Sequence, residues 1–148
     1  MSAPNLHGTA LVLGERGLLI IGPSGSGKSM LALALLARFQ QMGRQARLVA
    51  DDQVLVSAPA GRLVCRAPSP IRGLVEVHGV GPRPIEAEPA AVIDLVVRLV
   101  PAESLQRLPD DAFEEVAGCR LPLLEVRERA VEPALAAVAA RLSLPPLG

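Results

Sequence analysis

Gly22-Pro23-Ser24-Gly25-Ser26-Gly27-Lys28-Ser29 satisfies every fixed position of the phosphate-loop pattern G-x-x-x-x-G-K-[ST]. A polyphosphate carries several negative charges and needs donors at short range. Glycines clear side chains away, so consecutive backbone N–H groups can turn inward as an anion-binding nest. A helix beginning near Lys28 adds the positive end of its dipole. Lys28 supplies a mobile cation for the outer phosphates, and the hydroxyl of Ser29 suits Mg²⁺. A plain Gly/Ser-rich turn before a helix would use the same residue types without binding anything. The flanks favour the loop, because Leu18–Ile21 reads as a buried strand leading in and Met30–Ala37 as a helix leading out.

A second chemical group lies one helix and one strand further on. The apolar run Arg47–Ala50 ends in Asp51-Asp52, and Val54–Val56 reads as the next strand. A carboxylate closing an apolar strand is the usual partner of a phosphate loop, where it handles Mg²⁺ or the attacking hydroxyl. An Asp-rich turn between strands is the alternative. Glu76 sits among apolar neighbours in Ile71–Val77. If buried it needs a partner, which Arg72 or a metal ion could supply; if it faces outward it needs none. His7, just ahead of the first strand, reads on its own as a surface or packed histidine.

The whole chain limits what these groups can serve. Of 148 residues, half are hydrophobic and a fifth charged, which predicts one domain with a core. With two Phe and no Trp or Tyr, that core is built from small aliphatic residues. Basic and acidic side chains cancel to a net charge of zero, so no nucleic-acid footprint is expected. No apolar run is long enough to cross a bilayer, and Met1–Asn5 lacks the basic-then-apolar pattern of a leader. Cys65 and Cys119 are far apart in sequence and read as buried free thiols rather than a disulfide. A cytoplasmic enzyme fits this composition.

The positioning elements follow from periodicity and breakers. Thr9–Leu13 and Leu18–Ile21, joined by Gly14–Gly17, predict a hairpin. The loop helix is expected from Lys28 to about Met42, stopped by Gly43. Ala58–Gly61 predicts a turn, Leu63–Cys65 a short strand, 82–89 an irregular proline-rich stretch and Ala91–Val100 a strand. A polar loop is expected over 101–111 and a weak strand over Val116–Val126. Val131, Leu135, Val138 and Leu142 recur at helical spacing and predict a closing amphipathic helix.

In this order the chain resembles the catalytic domain of HPr kinase/phosphorylase, the bacterial enzyme that phosphorylates a serine of the phosphocarrier HPr and can reverse the reaction by phosphorolysis. The resemblance runs from His7 to the last helix. It is carried by His7-Gly8, Gly22–Ser29, Val49-Ala50-Asp51-Asp52-Gln53-Val54 and Glu76-Val77-His78-Gly79-Val80-Gly81. It implies an α/β phosphate-loop kinase domain of the HPr kinase/phosphoenolpyruvate carboxykinase type, a mixed sheet with the loop helix and a C-terminal helix packed on it. It also implies ATP and Mg²⁺ as cofactors, an HPr-type phosphocarrier as partner, and a homo-oligomer, in the family a hexamer.

By the same resemblance Lys28 and the loop Gly22, Pro23, Ser24, Gly25, Ser26, Gly27 and Ser29 hold the nucleotide, with Ser29 and Glu76 on the metal. Asp51 matches the proton acceptor, Asp52 its neighbour, and His7 the histidine ahead of the hairpin. The family carries arginine where His78 stands and a Pro-Gly-Arg-Asn segment near the C-terminus. Aligned without gaps, Arg127 falls on that catalytic arginine, with a surface arginine the equal alternative. The resemblance implies a short form without the family's N-terminal domain, similar to alphaproteobacterial members. Two other readings stay open: a small-molecule kinase using the same loop, and a nucleotide-sensing regulator that transfers nothing.

Overall fold

The computed structural model describes residues 4–105 and 112–142. In chain order the elements begin with β1 (Asn5–His7), β2 (Thr9–Leu13), β3 (Arg16–Ile21), α1 (Lys28–Gln41), β4 (Ala46–Ala50), β5 (Gln53–Ser57) and β6 (Val64–Arg66). They continue with β7 (Leu74–Val77), β8 (Gly81–Pro84), β9 (Ala91–Val92), β10 (Leu95–Val100), β11 (Phe113–Val116), β12 (Cys119–Arg127) and α2 (Val131–Arg141). The loop expected over 101–111 opens with a single helical turn, Ala102–Ser104, and from 106 it lies outside the described residues.

A six-stranded mixed sheet of order β11-β12-β10-β3-β2-β4 forms the frame. The expected hairpin is β2–β3, with Leu11 opposite Leu18. Strands β3, β10 and β12 run parallel, and β2 and β4 complete one side in antiparallel pairs. Both helices pack on one face. Leu18, Ile20, Leu95, Val97 and Leu99 meet Leu31, Leu35 and Phe39 of α1 and Leu135 and Val138 of α2. The intervening residues Ala10, Leu19 and Val96 face the other way, into a second core with Val54, Val56 and Cys65. Because side chains alternate along a strand, a strand covered on both faces must be apolar throughout, which is how Leu18–Ile21 reads. Each such leucine or isoleucine, fully withdrawn from water, stabilises the fold by about 1.5–3 kcal/mol.

The layer over that second face is a four-stranded sheet, β1-β5-β6-β9, which the sequence reading did not foresee. Three other departures have physical reasons. Ala91–Val100 is two strands in two sheets, not one. At the break, Asp94 accepts the backbone N–H of Gly17 on Oδ2 at 2.9 Å, while its own N–H donates to the Gly17 carbonyl. Residues 82–89 are not wholly irregular, since β8 pairs with β7. The Ile85 N–H donates to Gly73, so alternation turns the Arg83 backbone N–H toward β7 and the N–H-less faces of Pro82 and Pro84 outward.

Val116–Val126 is a hairpin, β11–β12, turning at Ala117-Gly118, where both residues have positive φ. Pro122 fits inside β12 because its ring nitrogen faces β10 just ahead of Leu123, where that ladder begins. Cys65 and Cys119 are buried free thiols, as expected.

Candidate active site

The phosphate loop leaves β3 at Ile21 and enters α1 at Lys28. Gly27 caps the helix with φ 99°, a left-handed conformation that costs glycine little. Gly22 is needed for a different reason. A Cβ there would stand 2.8 Å from Ser26 Oγ and 3.1 Å from the Cβ of Leu99. Lys28 lies back along the loop, its ammonium donating to the carbonyls of Gly22 at 2.9 Å and Pro23 at 3.1 Å. Burial pulls its pKa below the ordinary lysine value, and the charges of Asp52 and Asp51 oppose that shift. Ser26 Oγ is buried with no hydrogen-bond partner among the described residues. A loop with an orphaned hydroxyl and its lysine folded onto carbonyls has unmet capacity that a polyphosphate could take up.

Asp51 and Asp52 occupy the turn where the chain passes from the six-stranded to the four-stranded sheet. Asp52 takes φ 70°, left-handed, and the Gln53 N–H donates back to the Asp51 carbonyl at 2.8 Å. The two carboxylates face different surroundings. Asp51 is 4% exposed. Its oxygens accept the Ser29 hydroxyl at 2.7 and 2.8 Å, the Thr9 hydroxyl at 2.8 Å and the backbone N–H of Glu76 at 2.8 Å. Asp52 is 67% exposed and bonds His7 Nε2 at 3.0 Å. That pair is set by β1, which lies antiparallel on β5 with His7 opposite Gln53, and by the Gly8 N–H donating to the Asp52 carbonyl.

The loop serine and Asp51 therefore form one oxygen cluster. Hard oxygen donors, one hydroxyl and one or two carboxylates, suit Mg²⁺ completed by phosphate oxygens and water. Among the described residues no cluster of three or more His, Cys, Asp or Glu could hold a metal by itself. Glu76 gives Asp51 a backbone hydrogen bond, and its side chain is exposed beside the site, the outward-facing alternative of the sequence reading.

Residues 2–131 match the model of the HPr Serine kinase C-terminal domain family. The chain belongs to that family. An HPr kinase/phosphorylase of Caldicellulosiruptor bescii is 33% identical over 135 residues, 83% of this chain and 42% of that protein. One from Clostridium beijerinckii is 41% identical over 76 residues, 51% of this chain and 23% of that protein. The chain thus spans less than half the length of these curated relatives. Among solved structures, the Hpr(Ser) kinase/phosphatase from Coxiella burnetii superposes with a TM-score of 0.77 at 25% identity. That match covers 95% of this chain and 90% of the other.

Within this HPr kinase C-terminal domain, the fold brings His7, Lys28, Ser29, Asp51 and Asp52 to one end of the sheet, with the Glu76 backbone. Arg127 ends β12 and stands apart from the acidic turn, lining a cleft with Glu103 and Arg129. Three contributors escaped the sequence reading. Thr9 is wholly buried and bonded to Asp51. A threonine opening an otherwise apolar strand, two residues past His7, was the available signal. Arg129, at φ 56°, donates from Nε to the Gly25 carbonyl at 2.8 Å and from its backbone N–H to Ser26 at 3.0 Å. It is the arginine that touches the phosphate loop, and no spacing rule marked it. The Glu76 backbone N–H is invisible to any reading by side-chain type.

Proposed function

We propose that this chain is a serine kinase domain that transfers the γ-phosphoryl group of ATP, with Mg²⁺, to an HPr-type phosphocarrier protein. In the reverse direction it would phosphorolyse the phosphoserine. The observation that carries the reading is the contact between Ser29 of the loop and Asp51 of the acidic turn. It sets a carboxylate against the loop that would cradle the phosphates, which supports a role in taking the proton of a hydroxyl acceptor. Lys28, Ser29 and the loop amides would hold the phosphates. Ser29, with Glu76 nearby, would hold Mg²⁺, which would neutralise charge on the transferred group.

Asp51 as proton acceptor rests on the family resemblance and on its place at the loop mouth. One observation favours a second assignment. Asp52 is the exposed carboxylate and is already held by His7, so it can meet an incoming hydroxyl without giving up buried partners. The pair Asp51→Asn and Asp52→Asn separates the two. The acceptor's variant loses transfer with nucleotide still bound, whereas the other retains a measurable rate.

We place the protein in the cytoplasm as a homo-oligomer, with a hexamer as the expected size. Sedimentation of the purified protein checks the assembly. The activity test is incubation with γ-labelled ATP, Mg²⁺ and an HPr-type protein. Label on a serine of the carrier supports the reading. Label on a metabolite, or nucleotide bound with nothing transferred, would replace it by one of the two rivals.

A further inference from the structure

We propose that Arg129 is a positioning residue for the phosphate loop. It holds the Gly25 and Ser26 peptides from outside, so that the loop's N–H groups stay turned toward the phosphates. The role rests on the phosphate-loop reading above, and it acts through the loop rather than on the ligand.

A glycine-rich loop has a weakness built into its chemistry. Gly25, at φ 80°, and Gly27, at φ 99°, have no Cβ to restrict them, so the peptides between them rotate at little cost. Those peptides must be fixed if their N–H groups are to meet an anion without first being ordered. Among the described residues, Arg129 is the one outside Gly22–Ser29 that hydrogen-bonds Gly25 or Ser26. Its Nε donates to the Gly25 carbonyl at 2.8 Å and its backbone N–H to the Ser26 carbonyl at 3.0 Å. In a trans peptide the carbonyl and the following N–H point opposite ways. Two carbonyls drawn toward Arg129 therefore turn the N–H groups of Ser26 and Gly27 away from it. The Ser26 N–H donates to the Pro23 carbonyl at 3.1 Å and closes the turn. The Gly27 N–H is aimed at the side the phosphates would occupy.

The backbone of Arg129 argues that the contact is selected. At φ 56° it is left-handed, a conformation that costs a residue with a side chain and costs glycine little. Four described non-glycine residues have positive φ, and two of them, Asp52 and Arg129, border this site. Strain of that kind is kept where function needs the side chain. The turn itself is forced by its neighbours. The Glu128 N–H still donates to the Val100 carbonyl of β10 at 2.8 Å, and α2 already begins at Val131. The turn lays Arg129 against the loop, where a Cβ on Gly27 would stand 3.7 Å from its N and Cα.

The test uses Arg129→Gly and Arg129→Ala in the full chain. Both delete the Nε donor and keep the backbone donor, but only glycine relieves the strain. Three quantities are measured: exchange of the Ser26 amide by NMR without ligand, affinity for Mg·ATP by calorimetry, and Tm. Exchange should be about tenfold faster and binding about tenfold weaker, alike in both variants. Tm should be about 2–4 °C higher in the glycine variant than in the alanine one. Native exchange and affinity in both variants would overturn the role. Affinity that follows Tm, weaker in alanine than in glycine, would reduce Arg129 to a structural residue and overturn it too. Weaker binding with native ligand-free exchange would place the guanidinium on the nucleotide itself, which again overturns it. If the alanine variant does not fold, the glycine variant decides by exchange and affinity. A native chain with no affinity for Mg·ATP would instead overturn the phosphate-loop reading, and the ligand-free exchange would still test the hold on the loop.

Discussion

Thr9→Val removes one hydroxyl from the acidic cluster with almost no change of volume. Thr9 is fully buried and its Oγ1 donates to Asp51 Oδ1 at 2.8 Å. A hydrogen bond to a charged group contributes about 1.5–3 kcal/mol. The low end applies here, because the Ser29 hydroxyl and the Glu76 N–H still hold Asp51 after the change. For a chain of this length, about 2–4 °C of Tm accompanies each kcal/mol, so calorimetry should show a fall of about 3–6 °C. The catalytic effect is separable from the loss of stability. With one of its three anchors gone, Asp51 shifts relative to the loop, and misplacement of that kind costs about ten- to a hundredfold in transfer rate. Thr9→Ser keeps the donor and deletes a methyl group, a cavity cost of about 1 kcal/mol, and should keep transfer near the native rate. A valine variant with native Tm and native rate would refute the anchoring role. Equal loss of rate in the serine and valine variants would also refute it, by assigning the effect to methyl packing.

Lys28 has a pKa lowered in the folded chain by burial, so below that pKa folding works against its charge. Between the depressed value and the unfolded value of about 10.5 the unfolded chain binds more protons, and stability rises with pH. Urea unfolding of the native chain and of Lys28→Met should therefore show a difference that moves in favour of the native chain as pH rises toward the unfolded lysine value of about 10.5. A difference that stays flat or moves the other way would contradict the burial argument. Burial pushes the Cys65 thiol up to about 12, so a thiol reagent at neutral pH should label it only on the timescale of unfolding. Labelling as fast as a free peptide thiol would show the second core to be open. Arg98 bridges Glu114 and Glu125 at the edge of that core. Arg98→Ala leaves two half-buried carboxylates facing each other and should cost about 1–3 kcal/mol by urea titration. No change would show that solvent already screens the cluster.

The parts of the site legible in the sequence are those whose chemistry and position are both local. Gly22–Ser29 is contiguous, and its strand and helix flank it directly. Asp51-Asp52 closes an apolar strand one crossover on, so pairing it with the loop needed only the order of elements. His7 is different. Its neighbour Asp52 is 45 residues away and is reached through β1 on β5, a pairing three residues long. Strands that short carry no periodicity to read. The second sheet was hidden for the same reason, since β6 and β9 have three and two residues. The β7–β8 ribbon was hidden by Pro82 and Pro84, which signal irregular chain unless the direction each N–H would face is known. Arg127 and Arg129 show the limit of spacing arguments. Two residues apart, they differ in bonding: among the described residues Arg129, with a left-handed backbone, is the one hydrogen-bonded to the loop.

Asp51 held against the loop serine is tested most directly by single-turnover transfer of label from Mg·ATP to the serine of an HPr-type carrier by native chain and by Asp51→Asn. The native chain should transfer label, and the variant should lose about a hundredfold or more with nucleotide still bound. A native chain that binds Mg·ATP yet labels no serine, or an Asp51→Asn variant that transfers at the native rate, would contradict it.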